Sequence, residues 1–226
     1  MLIVLLSSAM ALSAWPQRSR NSDKNPAEKP EETRAVFPEE SFPRFIIEDL
    51  PKTPRLILGR GETEQNLLVS FLLGENKNAD PAMVEELAGL YIREAQTEGI
   101  NHDIAFAQMC LETGFLRFGG LVQAEMNNFC GLGSIGPGEP GEQFPSVQIG
   151  VRAHIQHLKA YATETPLAGE LVDPRYRFVR RGSAPALQAL AAYWAADKRY
   201  AEKIETILTR LYHFQETSLS SHQTGL

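Results

Sequence analysis

The chain has 226 residues, enough for one domain of ordinary size and a tail. Its 43% hydrophobic and 22% charged content suits a soluble globular protein. A formal net charge of −6 argues against nucleic acid as a partner, because neutralising phosphates needs a basic surface, while an uncharged polymer such as a glycan stays open.

Residues 1–14 read as a signal peptide. The run LIVLLSSAMALSA has the length of an export signal's apolar core and is too short for a membrane span, with small residues near its end. Export places the protein in the periplasm, the cell envelope or outside the cell, with membrane contact only through this leader or anchor. Residues 15–44, rich in Pro, Glu, Arg, Lys and Ser, cannot bury enough apolar surface to offset their ordering entropy and read as a disordered linker. A folded domain is expected over 45–216, opening with an extended arm over 45–58 and followed by a flexible tail at 217–226.

The domain reads as mainly helical. A first helix is expected over 62–73 with Gly74 past its end, and a second begins at the cap Asp80 and Pro81 and ends before Gly99. Asn101 caps a third over 102–113, stopped by Gly114. From Gly119 to Pro145 the pattern turns to Gly, Asn and Pro, a loop with room for one short hairpin. Helices resume over 147–163 with Ser146 as cap, then over 184–195 and 198–214, capped by Ser183 and Asp197. The expected class is α+β, mainly α, with a small loop or β-hairpin lobe inserted between helices.

The third helix carries the informative residues. IAFAQMCL is apolar on every side except at Gln108, the pattern of a buried central helix. Glu112 stands one turn beyond Gln108 on the same face, next to the helix stop. Partial burial and the helix C-terminus both disfavour its charge, which suits a general acid. The alternative is a solvated glutamate at a fraying helix end. The aromatic and glycine-rich segments that follow describe the floor of a cleft.

AQMCLETGFLRFGG (107–120) and NNFCGLG (127–133) together resemble the bacterial endo-β-N-acetylglucosaminidase family, which includes flagellar rod-cap domains and many autolysins. FPSVQIGVRAHIQHLKAYA (144–162) and YWAADKRYAEKI (193–204) continue the resemblance in the family's order. The resemblance implies a lysozyme-like fold and cleavage of peptidoglycan after N-acetylglucosamine, with Glu112 as catalytic acid. It also implies that Phe129 and Gly131 line the cleft and that Tyr200 reaches the sugar. Family members commonly carry Trp-Gly where Phe115 and Leu116 stand, so an aromatic wall is expected at Phe115 without the second glycine. The stretch between NNFCGLG and the next helix is shorter than in many members.

A second carboxylate, where one is needed, comes from GPGEPGEQF. Glu142 is preferred over Glu139, and Glu125 is a weaker candidate; otherwise these are solvated loop charges, and the substrate's own N-acetyl group acts as nucleophile. Trp194 and Tyr200 are candidates for stacking on sugar, with ordinary core packing as the alternative. Tyr161 reaches either cleft or core, and Asn127 and Asn128 either bind an acetamido group or hold a turn. His154 and His157 stand three apart without a third ligand, so no metal is expected; they read as a packing or solvated face. No cofactor is expected. Cys110 and Cys130 read as buried thiols, although export permits a disulfide. The expected partner is the peptidoglycan glycan strand, met by a monomer. Muramidase or lytic transglycosylase chemistry on the same Glu112, or a non-catalytic wall-binding module, are the alternatives.

Overall fold

A computed structural model describes residues 54–134, 139–195 and 197–223. The expected signal peptide, the linker and most of the arm lie outside the described residues. Six helices follow one another: α1 (Gln65–Glu75), α2 (Pro81–Glu98), α3 (His102–Thr113), α4 (Val147–Ala162), α5 (Leu187–Trp194) and α6 (Tyr200–Gln223). The mainly α expectation holds. None of these helices is long and apolar enough to cross a membrane.

Three helix starts follow from side chains that accept orphan backbone N–H groups. Asp80 takes the Ala82 N–H ahead of Pro81, Asn101 takes those of Asp103 and Ile104, and Ser146 takes that of Ile149. Three of the expected helices have shifted boundaries. α1 runs through Gly74 and ends at Asn76, whose N–H bonds the Leu72 carbonyl and whose buried amide donates to the Phe115 carbonyl. α5 starts at Leu187 rather than near Ala184, and Ser183 is no cap: its hydroxyl is buried with no hydrogen-bond partner. α6 continues to Gln223, into the segment read from sequence as a tail.

α3 is the axis of the fold. Every residue of it except Glu112 is buried, and it packs against α6, α2 and α4. Around it, α2 lies against α4 and α1, while α5 packs on α6. Phe106, Met109, Leu87, Leu158, Ile204 and Leu208 are among the core side chains with no exposure. The start of α3 is tied down by fully buried Asp103, which accepts from the Glu62 and Thr63 N–H groups and from the Tyr212 hydroxyl. The described end of the arm is extended, as expected: Leu56 and Leu58 form antiparallel bridges with Ala186 and Ile100, and Ile57 between them is fully buried.

The lobe between α3 and α4 is loop rather than hairpin among the described residues, with one 3-10 turn at Ala124–Met126. Asn128 organises it. Its amide donates to the Leu132 and Glu142 carbonyls and its oxygen accepts the Leu132 N–H. The lobe is clamped to α4 at Gly150, where a Cβ would stand 1.8 Å from the Asn127 carbonyl oxygen, so only glycine allows this approach.

Candidate active site

Glu112 emerges from the last turn of α3, half-buried, where Gly114 in the left-handed conformation stops the helix. Among the described residues, Tyr200 and Trp194 both donate to its Oε1. The Tyr200 hydroxyl, from the first residue of α6, donates across 2.6 Å, and the Trp194 indole N–H, from the last residue of α5, donates across 3.0 Å. The α5–α6 junction thus grips the carboxylate from one side. Its other oxygen faces the glycine loop: a Cβ on Gly131 would sit 3.6 Å from Oε2, and Gly131 has φ +66°. A Cβ there would make only ordinary contact with the acid, so it is the left-handed backbone at Gly131 that a non-glycine residue would strain.

The same turn reaches Glu142, since a Cβ on Gly133 would lie 3.1 Å from its Oε1. Glu142 is about one-third exposed and 3.8 Å from Arg175. The Glu142 N–H bonds the Leu132 carbonyl, so the residue is held at its backbone while its carboxylate stays near solvent. Glu125 and Glu139 are exposed.

An aromatic cluster borders the acid. Tyr161 is half-buried, 6.0 Å from the Trp194 ring and 5.8 Å from that of Tyr193, which is 52% exposed. Burial pushes the Tyr161 hydroxyl above the usual tyrosine range. His157 stacks edge-on against Trp194 at 5.3 Å, and its Nδ1 lies 2.7 Å from the buried Asp173 carboxylate. Tyr193 was not singled out from sequence, although it adjoins Trp194 in the same motif.

Several expected cleft residues prove to be scaffold. Phe129 has no exposure and is fully enclosed in the core. Phe115 is 8% exposed and packs against Phe71 at 6.2 Å beneath the Arg210 guanidinium, so its ring is core rather than cleft wall. Its φ of +56° and that of +62° at Leu116 keep a left-handed exit from α3 without the second glycine. Asn128 is 1% exposed and its amide is used within the loop, which favours the turn-holding alternative over acetamido binding.

The histidines are a packing face rather than a solvated one. His154 is fully buried, with Nδ1 2.9 Å from the Tyr91 hydroxyl and Nε2 3.0 Å from Gln108 Oε1. Burial lowers its pKa to about 3, so the ring is neutral in the folded protein near neutral pH. Gln108 in turn donates to the Tyr200 hydroxyl across 2.7 Å. Gln108 was visible in the sequence as the polar residue of an apolar run; its partners on other helices were not. Cys110 and Cys130 are buried thiols, and burial raises that of Cys110 far above the usual range.

A shallow pocket lined by residues 60–65, Ile92 and His102 lies at the opposite end of α3, about 15 Å along the axis from Glu112. It has no group in common with the site.

Comparison with known proteins bears on this geometry. The family model described as glucosaminidase, mannosyl-glycoprotein endo-beta-N-acetylglucosaminidase, matches residues 88–213, which spans Glu112, Trp194 and Tyr200. An uncharacterized protein of Borreliella burgdorferi is 42% identical over 164 residues, covering 73% of this chain and 80% of that protein. No solved structure matches. With more than half of its length matched, and with the one α3 residue that escapes burial being a carboxylate, the chain belongs to the glucosaminidase family of glycoside hydrolases.

Proposed function

We propose that this protein hydrolyses the β-1,4 bond after N-acetylglucosamine within peptidoglycan strands, with Glu112 as general acid. The observation that carries the reading is the asymmetric environment of that carboxyl group. Oε1 accepts from both Tyr200 and Trp194, so a carboxyl proton resides on Oε2, the oxygen turned towards the glycine loop. Glu112 gives this proton to the glycosidic oxygen as the bond to C1 breaks. The acetamido oxygen of the same sugar attacks C1 and forms an oxazolinium ring. Water then adds to C1 as the oxazolinium C1–O bond breaks and frees the acetamido group, and it loses a proton to the Glu112 carboxylate, which restores the acid. Tyr200 and Trp194 stabilise Glu112 while it is ionised.

Glu142 is the candidate for a second carboxylate, activating a water from the far side of the Gly131–Gly133 turn. Its loose setting beside Arg175 supports the substrate-assisted route over one that needs a fixed nucleophile. Tyr193, with Tyr161 and Trp194 behind it, offers an aromatic face for a sugar ring. The apolar run at residues 2–14 is suited to deliver the enzyme to the envelope, where its polymer lies.

Product analysis by mass spectrometry tests the reaction. Digested peptidoglycan is expected to yield fragments with reducing N-acetylglucosamine ends. Anhydro-muramic ends would instead establish transglycosylase chemistry, and reducing N-acetylmuramic ends a muramidase.

A further inference from the structure

Side chains from four helices form one hydrogen-bonded chain that ends on the Glu112 carboxylate. Tyr91 on α2 meets His154 on α4 at 2.9 Å, and His154 meets Gln108 on α3 at 3.0 Å. Gln108 donates to Tyr200 on α6 at 2.7 Å, and Tyr200 donates to Glu112 at 2.6 Å. Tyr91, His154 and Gln108 have no exposure, and Tyr200 has 4%. With so little exposure, the inner links are shielded from bulk water, and Tyr91, His154 and Gln108 meet one another's polar groups there.

The direction of the chain follows from which atoms can donate. A neutral imidazole carries one hydrogen, and the Gln108 carbonyl oxygen facing it can only accept, so that hydrogen is on Nε2. Nδ1 is then an acceptor, and the Tyr91 hydroxyl donates to it. Turning the Gln108 amide over would draw the Tyr200 hydrogen towards Gln108. The Tyr200 oxygen would then face Glu112 Oε1, the oxygen without the proton, at 2.6 Å with no hydrogen between them. Every donor in the chain therefore points towards Glu112, and aligned hydrogen bonds strengthen one another in a dry interior.

We propose that Gln108 and His154 are positioning residues for the hydrolysis: they hold the Tyr200 hydroxyl as a donor to Glu112 Oε1, which keeps the transferable proton on Oε2. The inference rests on the role assigned to Glu112 above. Neither residue touches substrate; both act through Tyr200. The placement matches the chemistry, because an acid that donates, becomes an anion and takes a proton back needs one oxygen fixed as acceptor throughout. It also accounts for a glutamine in the otherwise apolar run of α3 and for a histidine kept neutral in the core.

A double-mutant cycle on muralytic activity tests this, with Glu112→Gln as reference. Gln108→Met keeps the volume and removes the donor; it is expected to lower kcat about tenfold or more with KM within about twofold, since a group acting only on the reacting proton leaves binding alone. Gln108→Met combined with Tyr200→Phe is expected to be no slower than Tyr200→Phe alone, the signature of residues acting in series. A wild-type kcat in Gln108→Met, or losses that multiply in the double variant, would overturn the proposal. His154→Gln retains an N–H near the Nε2 position and is expected to keep most of the activity, whereas His154→Leu is expected to lose about as much as Gln108→Met. Equal activity in the two His154 variants, both folded by circular dichroism, would also overturn it. An active Glu112→Gln would instead remove the proposed function itself. An inactive Glu112→Gln beside a fully active Gln108→Met removes only the relay.

Discussion

The hydroxyl of Tyr200 and Oε1 of Glu112 stand 2.6 Å apart, joining the start of the last helix to the end of the central one. Eighty-eight residues separate them in sequence, so the site exists only when α6 has docked on α3. Catalytic competence and the packing of these two helices are therefore linked.

Replacing Tyr200 by Phe removes the donor to Glu112 and the acceptor for the buried Gln108 amide. The unsatisfied amide is expected to cost about 1–3 kcal/mol of stability. Loss of a hydrogen bond to a charged group, about 1.5–3 kcal/mol, corresponds to roughly a 10- to 100-fold fall in kcat. Urea unfolding and steady-state turnover of one preparation measure both.

Trp194→Phe keeps an aromatic ring against His157 and Tyr161 and removes the indole N–H that Glu112 accepts. Activity is expected to fall less than in Tyr200→Phe, because that hydrogen bond is longer and nearer to solvent. The thermal midpoint should change little. A variant with unimpaired kcat would remove Trp194 from the acid's support.

Stability should rise with pH between about 4.5 and 6.5 because of His154. Its folded-state pKa is lowered to about 3 by burial, so in this window the unfolded chain binds a proton that the folded protein excludes. The folded state gains up to about 1.4 kcal/mol per pH unit from this group as pH rises. Glu94 and Glu98 are both held below the usual carboxylate range. Burial opposes this, but hydrogen bonds outweigh it, from Arg152 and Gln148 to Glu94 and from the Ala168 N–H and Lys159 to Glu98. Their contributions are lost at lower pH, as the carboxylates are forced to protonate. Glu205, pushed up by burial, acts with the opposite sign just above the usual carboxylate range. Urea unfolding against pH, compared between wild type and His154→Gln, isolates the histidine. The variant is expected to show a flatter curve between pH 5 and 6.5.

Lys159 and Glu98 form an ion pair at 2.7 Å with little exposure on either side, and Glu98 also accepts the Ala168 and Gly169 N–H groups. This fastens the loop after α4 to the end of α2. Lys159→Met leaves the carboxylate buried without its cation and is expected to cost about 3–5 kcal/mol, while replacing both by apolar residues of similar volume should cost less. Denaturant midpoints of the single and double variants test this.

Local signals gave the reading from sequence its reach. Asp80 with Pro81, Asn101 and Ser146 each announce a helix start through side-chain chemistry confined to a few residues, and all three stand in the fold. Glu112 was legible because a polar residue breaks an apolar run just before a glycine. What stayed hidden depends on partners far away in sequence. Nothing within α1 shows that Asn76, rather than Gly74, ends it, because the amide that fixes Asn76 bonds the Phe115 carbonyl. The same holds for His154 and Tyr91, whose meaning depends on Gln108. Phe129 and Phe115 misled for a related reason: an aromatic in a loop motif reads alike whether it faces a sugar or anchors the loop in the core.

The central claim is tested most directly by digesting purified peptidoglycan with wild type and Glu112→Gln, matched for circular dichroism and thermal midpoint. The variant is expected to keep the fold and lose release of reducing sugars, because the amide cannot deliver a proton to the glycosidic oxygen. Release at the wild-type rate by the folded variant would contradict the account.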